Sequence, residues 1–136
     1  ESIKKKVIHA ITVDDLNHLK RGGRVSSTVA IVGTMLSIKP IMHVDDEGRL
    51  IPVSKVKGRK KSVKELQEKL KERIVNPEDQ TIFISHGDCL AEAEQLRDLI
   101  LNEVKVKEVI INNVGPVIGA HSGPGTLALF FIGNNR

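Results

Sequence analysis

Residues 81–111, TIFISHGDCLAEAEQLRDLILNEVKVKEVII, decide the fold of this chain. Residues 81–85 and 106–111 are short apolar runs with the character of buried strands. Between them, apolar residues recur at helical spacing up to Leu101, and Asp88 is placed to cap the start of that helix. A strand, a helix and a second strand in this order predict a βαβ unit with parallel strands.

A helix and a β-hairpin are predicted upstream of this unit. Ser62 and Glu65 are spaced as in a capping box, and apolar residues follow at intervals of three and four up to Ile74. Residues 40–44 and 50–56 flank Asp-Asp-Glu-Gly, which is a hairpin pattern, and a proline at position 52 favours an edge strand. The whole pattern predicts an α/β fold with helices packed on a mixed β-sheet.

Two more helices are predicted near the start of the chain. Thr12 and Asp15 mark a capping-box start for a short helix with an apolar stripe, which ends at Gly22-Gly23. Residues 28–38 are apolar around nearly the whole circumference of a helix, and such a helix is buried.

Composition narrows the class of protein. The 136 residues are 40% hydrophobic but contain three Phe and neither Trp nor Tyr, so we expect one domain with an aliphatic interior and no base-stacking nucleic-acid surface. No apolar run reaches the roughly 18 residues of a membrane span. The lone Cys89 permits no internal disulfide and no cysteine-based metal site. These features predict a cytoplasmic protein.

The positive charge is concentrated in residues 55–73. This segment holds nine basic and three acidic residues, whereas the whole chain has a net charge of +4. Two interpretations are open: a solvated helix face, or a surface that attracts an anionic partner. We predict no nucleic-acid partner, because no aromatic residue accompanies the cluster.

Residues 115–125, GPVIGAHSGPG, hold His121 between four glycines and two prolines. Pro116 is suited to open a helical turn and Gly123 to end it, which would fix the histidine on a rigid corner. From the residues alone, this side chain either hydrogen-bonds to the backbone or has a functional role, as a donor to a carboxylate or phosphate oxygen, as a base or as a metal ligand. We predict no metal site, because no His or carboxylate stands three or four positions away.

Lys20-Arg21-Gly22-Gly23-Arg24 places two guanidinium groups around a glycine pair. Arg21 and Arg24 either cap the C-terminus of the preceding helix or recognise an anion such as a carboxylate or phosphate. The sequence leaves both roles open.

The segment Ser85-His86-Gly87-Asp88 resembles part of a catalytic triad, but its geometry is unfavourable. Neighbouring residues at a strand end point to opposite faces, so Ser85 and His86 are not expected to pair as nucleophile and base. We expect Asp88 to cap a helix and Cys89 to be a small buried residue. The chain is therefore predicted not to be an enzyme, with a small hydrolase or phosphotransferase using His121 or His86 as the alternative.

Taken in order, five segments resemble the second half of DegV family proteins. They are 14–16 (DDL), 19–24 (LKRGGR), 33–40 (GTMLSIKP), 85–88 (SHGD) and 119–131 (GAHSGPGTLALFF). The resemblance implies the C-terminal lobe of the DegV fold and the binding of one long-chain fatty acid without a cofactor. It also implies that His121 helps to hold the fatty acid carboxylate.

The resemblance also implies partners and domain limits. Family members bind the fatty acid between two lobes, so the expected partner in cis is an N-terminal lobe, which is absent from these residues. A fatty-acid kinase ATP-binding subunit is the expected partner in bacteria that have that system. Residues 1–11 are interpreted as a linker tail and 12–136 as the lipid-binding domain. The expected ligand-binding set is His121, Arg21, Arg24, Ile31, Thr34, Met35, Ile38 and Phe130.

Overall fold

The computed structural model describes residues 3–24 and 37–136. In chain order the strands are β1 (Val7–Thr12), β2 (Ile38–Val44), β3 (Leu50–Lys57), β4 (Thr81–His86), β5 (Glu108–Asn113) and β6 (Leu127–Ile132). The helices are α1 (Leu16–Arg21), α2 (Arg59–Arg73), α3 (Leu90–Glu103) and α4 (Pro116–Ser122), and single 3-10 turns occur at Lys4–Lys6 and Pro77–Asp79. No helix within these described ranges has the length and apolar character needed to cross a membrane.

The described strands form one mixed sheet in the order β3-β2-β1-β6-β4-β5. β4 and β5 are parallel, and the other neighbours are antiparallel. The α/β prediction, the parallel strand pair and the hairpin are confirmed. β3 lies at an edge, as Pro52 predicted, because proline has no N–H to donate to a neighbouring strand.

The two faces of the sheet differ in how fully helices cover them. On one face α2 and α3 pack over the sheet through a core that includes Leu66, Leu70, Leu96 and Ile100, none of them measurably exposed. On the opposite face a smaller cluster joins Val13, Leu16, Leu19 and Met42. Phe83 remains 45% exposed on that face, which is therefore open over β4 and β6 in the described residues. We refer to it as the open face.

The interpretation of residues 1–11 as a linker tail is wrong for residues 7–11. Val7–Thr12 form β1, which pairs with both β2 and β6 in the interior of the sheet. Burial alternates along this strand and places Ile8 and Ala10 in the helix-covered core. The sequence signal for a strand was the concentration of β-branched residues, Val7, Ile8, Ile11 and Thr12.

The predicted buried helix over residues 28–38 falls mainly on residues 25–36, which lie outside the described part of the chain. Its last residue, Ile38, is not helical, because β2 begins there and pairs Ile38 with Lys57.

Three predicted helix caps are also wrong. Asp15, not Thr12, caps α1, since its carboxylate accepts from the Asn17 N–H at 2.8 Å. α2 begins one turn earlier than predicted, so Ser62 lies inside it and donates to the Arg59 carbonyl. Cys89, not Asp88, holds the N-cap position of α3.

Candidate functional site

The open face of the sheet carries a groove of about 940 Å³. Its floor is a row of paired residues, since Ile11 of β1 and Ser85 of β4 both lie opposite Ala128 of β6. Phe130, two residues further along β6, faces the groove as well. The period of two along each strand places all four side chains on one face.

Three segments surround this floor. α1 and the turn after it contribute Leu19 and Arg24, the β2-β3 hairpin contributes residues from Val44 to Pro52, and α4 contributes Ile118 and His121. The apolar lining residues outnumber the polar ones, which are Arg24, Arg49, Ser85, Asn113, His121, Ser122 and Thr126. A large, mainly apolar groove with a smaller number of polar groups suits a ligand with an apolar body and a polar end.

The imidazole of His121 lines the groove, and one of its two nitrogens is hydrogen-bonded to the backbone. Nδ1 lies 2.8 Å from the carbonyl oxygen of Val117, one turn earlier in α4. A carbonyl only accepts, so Nδ1 is the protonated donor, and Nε2 is the nitrogen left for a ligand. The predicted backbone bond and a ligand-binding role therefore involve different atoms of the same ring.

Gly22 joins His121 to Arg24. A Cβ added to Gly22 would collide with Cδ2 of His121 and lie 3.1 Å from its Cγ, so the ring packs directly on the Gly22 backbone. Arg24 folds back and donates from Nη1 to the Gly22 carbonyl at 3.1 Å. The imidazole of His121 and the guanidinium of Arg24 thus both contact Gly22, and both side chains line the same part of the groove.

The hydroxyl groups near α4 are engaged with the backbone. Ser122 Oγ donates to the Ile118 carbonyl at 2.8 Å, and Thr126 Oγ1 donates to the Gly123 carbonyl at 2.8 Å. Their single protons are used in these bonds, so they face a ligand as acceptors. A ligand anion is therefore better served by the Arg24 guanidinium, which only donates.

Arg59 ties the glycine-rich loop after α4 to the rest of the fold. It is 18% exposed, pairs with Glu92 of α3, and places Nη1 3.2 Å from Oδ1 of Asp14. Its Nη2 donates to the Gly125 carbonyl. Gly125 has φ +88° and no space for a side chain, because Asp14 packs against its α-carbon. These contacts hold the loop that connects α4 to β6.

The Ser85-His86 pair is separated as predicted. Ser85 lines the groove, whereas His86 is buried and its Nδ1 accepts from the Cys89 N–H at 3.2 Å. Cys89 donates from Sγ to the Thr126 carbonyl, and burial raises the pKa of its thiol. Neither a serine nucleophile with a histidine base nor a reactive thiolate is formed by these residues.

The predicted ligand residues fall into three groups. His121, Arg24 and Phe130 line the groove. Arg21 is exposed and Ile38 lies in β2, and neither lines it. Ile31, Thr34 and Met35 lie outside the described residues. Within the described ranges, no group of three His, Cys, Asp or Glu is placed to hold a metal ion.

Several groove residues were missed at the level of sequence. Ile11, for example, was assigned to the linker, and Leu50 was assigned only to a hairpin strand. Their alternation within strands was a usable signal for which side chains share a face. No sequence signal indicated which face the helices leave open.

The described residues thus define a class: an α/β domain whose sheet supports a mainly apolar groove, with His121 and Arg24 both in contact with Gly22. A family model described as "Uncharacterised protein, DegV family" matches residues 1–134. The chain belongs to the DegV family, as the ordered motifs indicated. A DegV domain-containing protein of Clostridium perfringens is 53% identical over 136 residues, which are 100% of this chain and 47% of that relative. The chain therefore spans about half the length of this curated relative.

Solved structures show the same fold. A fatty acid binding DegV family protein from Streptococcus agalactiae is 38% identical, with a TM-score of 0.82 over 98% of this chain and 47% of its own. The Streptococcus pneumoniae Fatty Acid Kinase (Fak) B3 protein, solved with linoleic acid, has a TM-score of 0.86 over 98% of this chain and 47% of its own. At 19% identity, this second likeness concerns the fold alone.

Proposed function

We propose that this chain is the C-terminal lobe of a DegV carrier that binds one long-chain fatty acid in the groove on the open face. The observation that carries the proposal is the placement of His121 and Arg24 together on a groove that is otherwise largely apolar. The Streptococcus agalactiae relative, described as fatty acid binding, supports the same ligand class.

The groove and its polar groups have separate tasks in this proposal. Burial of an acyl chain against Ile11, Ala128 and Phe130 supplies about 0.8 kcal/mol per methylene, which is enough for tight binding of a long chain. His121 and Arg24 fix the carboxylate end and orient the chain. With Nδ1 donating to Val117, Nε2 is the ring nitrogen left to hydrogen-bond the carboxyl group.

The carrier is proposed to act without catalysis. Its partners are an N-terminal lobe in cis, which would cover the open face, and a fatty-acid kinase ATP-binding subunit to which the carboxylate is presented. Ile31, Thr34 and Met35, which belong to the expected ligand set and lie outside the described part of the chain, are proposed as further wall of the acyl chain site. A cytoplasmic location fits the single cysteine.

The proposal is tested by measuring how much fatty acid the protein of full native length retains when His121 is substituted. His121→Gln removes the imidazole and its proton, so we expect about tenfold weaker binding, the loss of one charge-assisted hydrogen bond. Native mass spectrometry gives the fraction of protein that carries fatty acid, and titration with oleate gives the affinity.

His43→Gln is the matched control, because His43 lies in β2, is partly exposed like His121, and does not line the groove. It should bind fatty acid as the unchanged protein does. Equal fatty acid loads in the His121 variant and the control would refute the assigned role of His121.

A further inference from the structure

α1 and α4 meet through two reciprocal contacts between a histidine and a glycine. Each helix ends at a glycine: Gly22 follows α1, and Gly123 follows α4. The ring of His121, from α4, packs on Gly22, and the ring of His18, from α1, packs on Gly123. A Cβ at Gly123 would lie 2.6 Å from Cδ2 and 2.7 Å from Cγ of His18, so neither glycine has space for a side chain.

The contact with Gly22 fixes the orientation of the His121 ring. Nδ1, on one edge, is bonded to the Val117 carbonyl, and Cδ2, on the other edge, rests on Gly22. With both edges held, the free end of the ring carries Nε2, the nitrogen left for a ligand. A ring that turned about Cβ–Cγ would lose the hydrogen bond.

The backbone at Gly22 does not itself require glycine. Gly22 has φ −83° and ψ 0°, which other residues adopt, whereas Gly123 has φ +80°. The need for glycine at position 22 comes from the close approach of His121 alone. Substitution of Gly22 by alanine therefore changes the ring position without straining the main chain.

We infer that Gly22 is a positioning residue for ligand binding: it holds the His121 ring so that Nε2 faces the fatty acid carboxylate. The His18 contact with Gly123 is the reciprocal half of the same arrangement and sets the distance between α1 and α4. Arg24, bonded to the Gly22 carbonyl, is brought to the same place by the same residue. This inference rests on the proposed function of His121 as the carboxylate ligand.

Gly22→Ala in the protein at its full native length tests the inference by two measurements. The first is the imidazole nitrogen NMR signal of His121 without fatty acid, which reports whether Nδ1 carries the proton. The second is oleate affinity. We expect the variant to show a mixture of tautomers and at least fivefold weaker oleate binding.

Gly119→Ala is the control, because Gly119 lies in the same helix as His121 and an added Cβ would make only an ordinary contact, 3.5 Å from Val114. It should keep the tautomer and the affinity. A Gly22→Ala protein that also keeps both would overturn the inference. A changed tautomer with unchanged affinity would support the positioning of the ring by Gly22 and refute the role of His121 in binding.

A double substitution separates positioning from general loss of structure. In a protein that already carries His121→Gln, Gly22→Ala has no imidazole ring to displace, so we expect less than a further twofold loss of oleate affinity. An additional loss of fivefold or more would show that Gly22 acts independently of His121, and the inference would be wrong.

Discussion

At the residue scale, His9 is an ionisable group on the open face whose pKa is lowered by its surroundings. It lies in β1 beside Phe130, with the two rings edge to face and their centroids 5.1 Å apart. Partial burial, and then the nearby Arg136 guanidinium, lower the pKa of His9 from its ordinary value. Arg136 is held there by donating to the carbonyls of Val7 and Asp45.

The lowered pKa of His9 predicts a loss of stability in mild acid. Between the folded pKa and the ordinary value of 6.5, the unfolded chain binds a proton that the folded chain does not. The free energy of unfolding therefore rises with pH in this window. The contribution of neutral His9 is fully present above pH 6.5 and is lost as the pH falls toward the folded pKa.

NMR titration of His9, with urea unfolding at pH 7.5, 6.5 and 5.5, measures this effect. Arg136→Gln should raise the pKa of His9 toward its ordinary value, and His9→Gln should remove part of the decrease in stability below pH 6.5. A His9 pKa at or above 6.5 in the unchanged protein would contradict the prediction.

Arg59 forms ion pairs that its position in the sequence does not indicate. The basic segment 55–73 was interpreted as either a solvated face or an anion-attracting surface, and Arg59 is part of it. In the fold it instead pairs with Asp14 and Glu92, residues 45 and 33 positions away. Spacing along one helix carries no information on such partners, because they come from other elements. Lys69 and Glu65, four residues apart on α2, are the kind of pair that spacing does predict.

At the element scale, apolar periodicity was a reliable guide and local capping patterns were not. The βαβ unit, the hairpin and the amphipathic helix were predicted correctly because each buries a face whose period is visible in the sequence. Caps depend on where the chain turns, which tertiary packing decides, so Thr12 ends a strand and donates to Pro40 rather than starting a helix. β1 was missed because its six residues follow three lysines and do not alternate between apolar and polar, so the segment was interpreted as a linker.

The floor of the groove gives a prediction for β6. Ala128 is 6% exposed and lies between Ile11 and Ser85, so its small side chain leaves space that a larger one would fill. Ala128→Leu should reduce the affinity for oleate about tenfold or more, and should affect a ten-carbon acid less, because the shorter chain needs less of the groove. Titration with the two acids measures the difference.

Ala91→Leu is the matched control for this substitution, since Ala91 is exposed on α3, on the side of the sheet away from the groove. Urea unfolding of both variants shows whether overpacking alone has weakened the fold. Equal losses of affinity for both acids would argue that Ala128 does not form part of the acyl chain site.

At the scale of the whole molecule, the groove is built from elements that are far apart in sequence. β1, the β2-β3 hairpin, α4 and β6 all contribute to it, and only the order of strands in the sheet brings them together. The family resemblance therefore predicted His121 and Phe130 as site residues, but the sequence did not indicate that Ile11 and Ser85 lie beside β6 on the same floor. The open side of the groove is equally a property of the assembled sheet.

The open groove predicts that the 136-residue chain alone binds fatty acid more weakly than the protein at its full native length. This chain spans 47% of the Clostridium perfringens relative, and in the described residues the face that carries the groove is open over β4, where Phe83 is 45% exposed. Each methylene left in water forfeits about 0.8 kcal/mol, so two exposed methylenes weaken binding roughly tenfold. Longer acids should accordingly gain less affinity per added carbon on the isolated chain.

Calorimetric titration of both proteins with saturated acids of ten to eighteen carbons measures this gain directly. The heat capacity change on binding should be less negative for the isolated chain, because less apolar surface leaves water. Urea unfolding of the isolated chain confirms that its sheet is formed, which separates weak binding from loss of structure. Equal affinity and equal gain per carbon would show that the described groove, with residues 25–36, encloses the acyl chain without a second lobe.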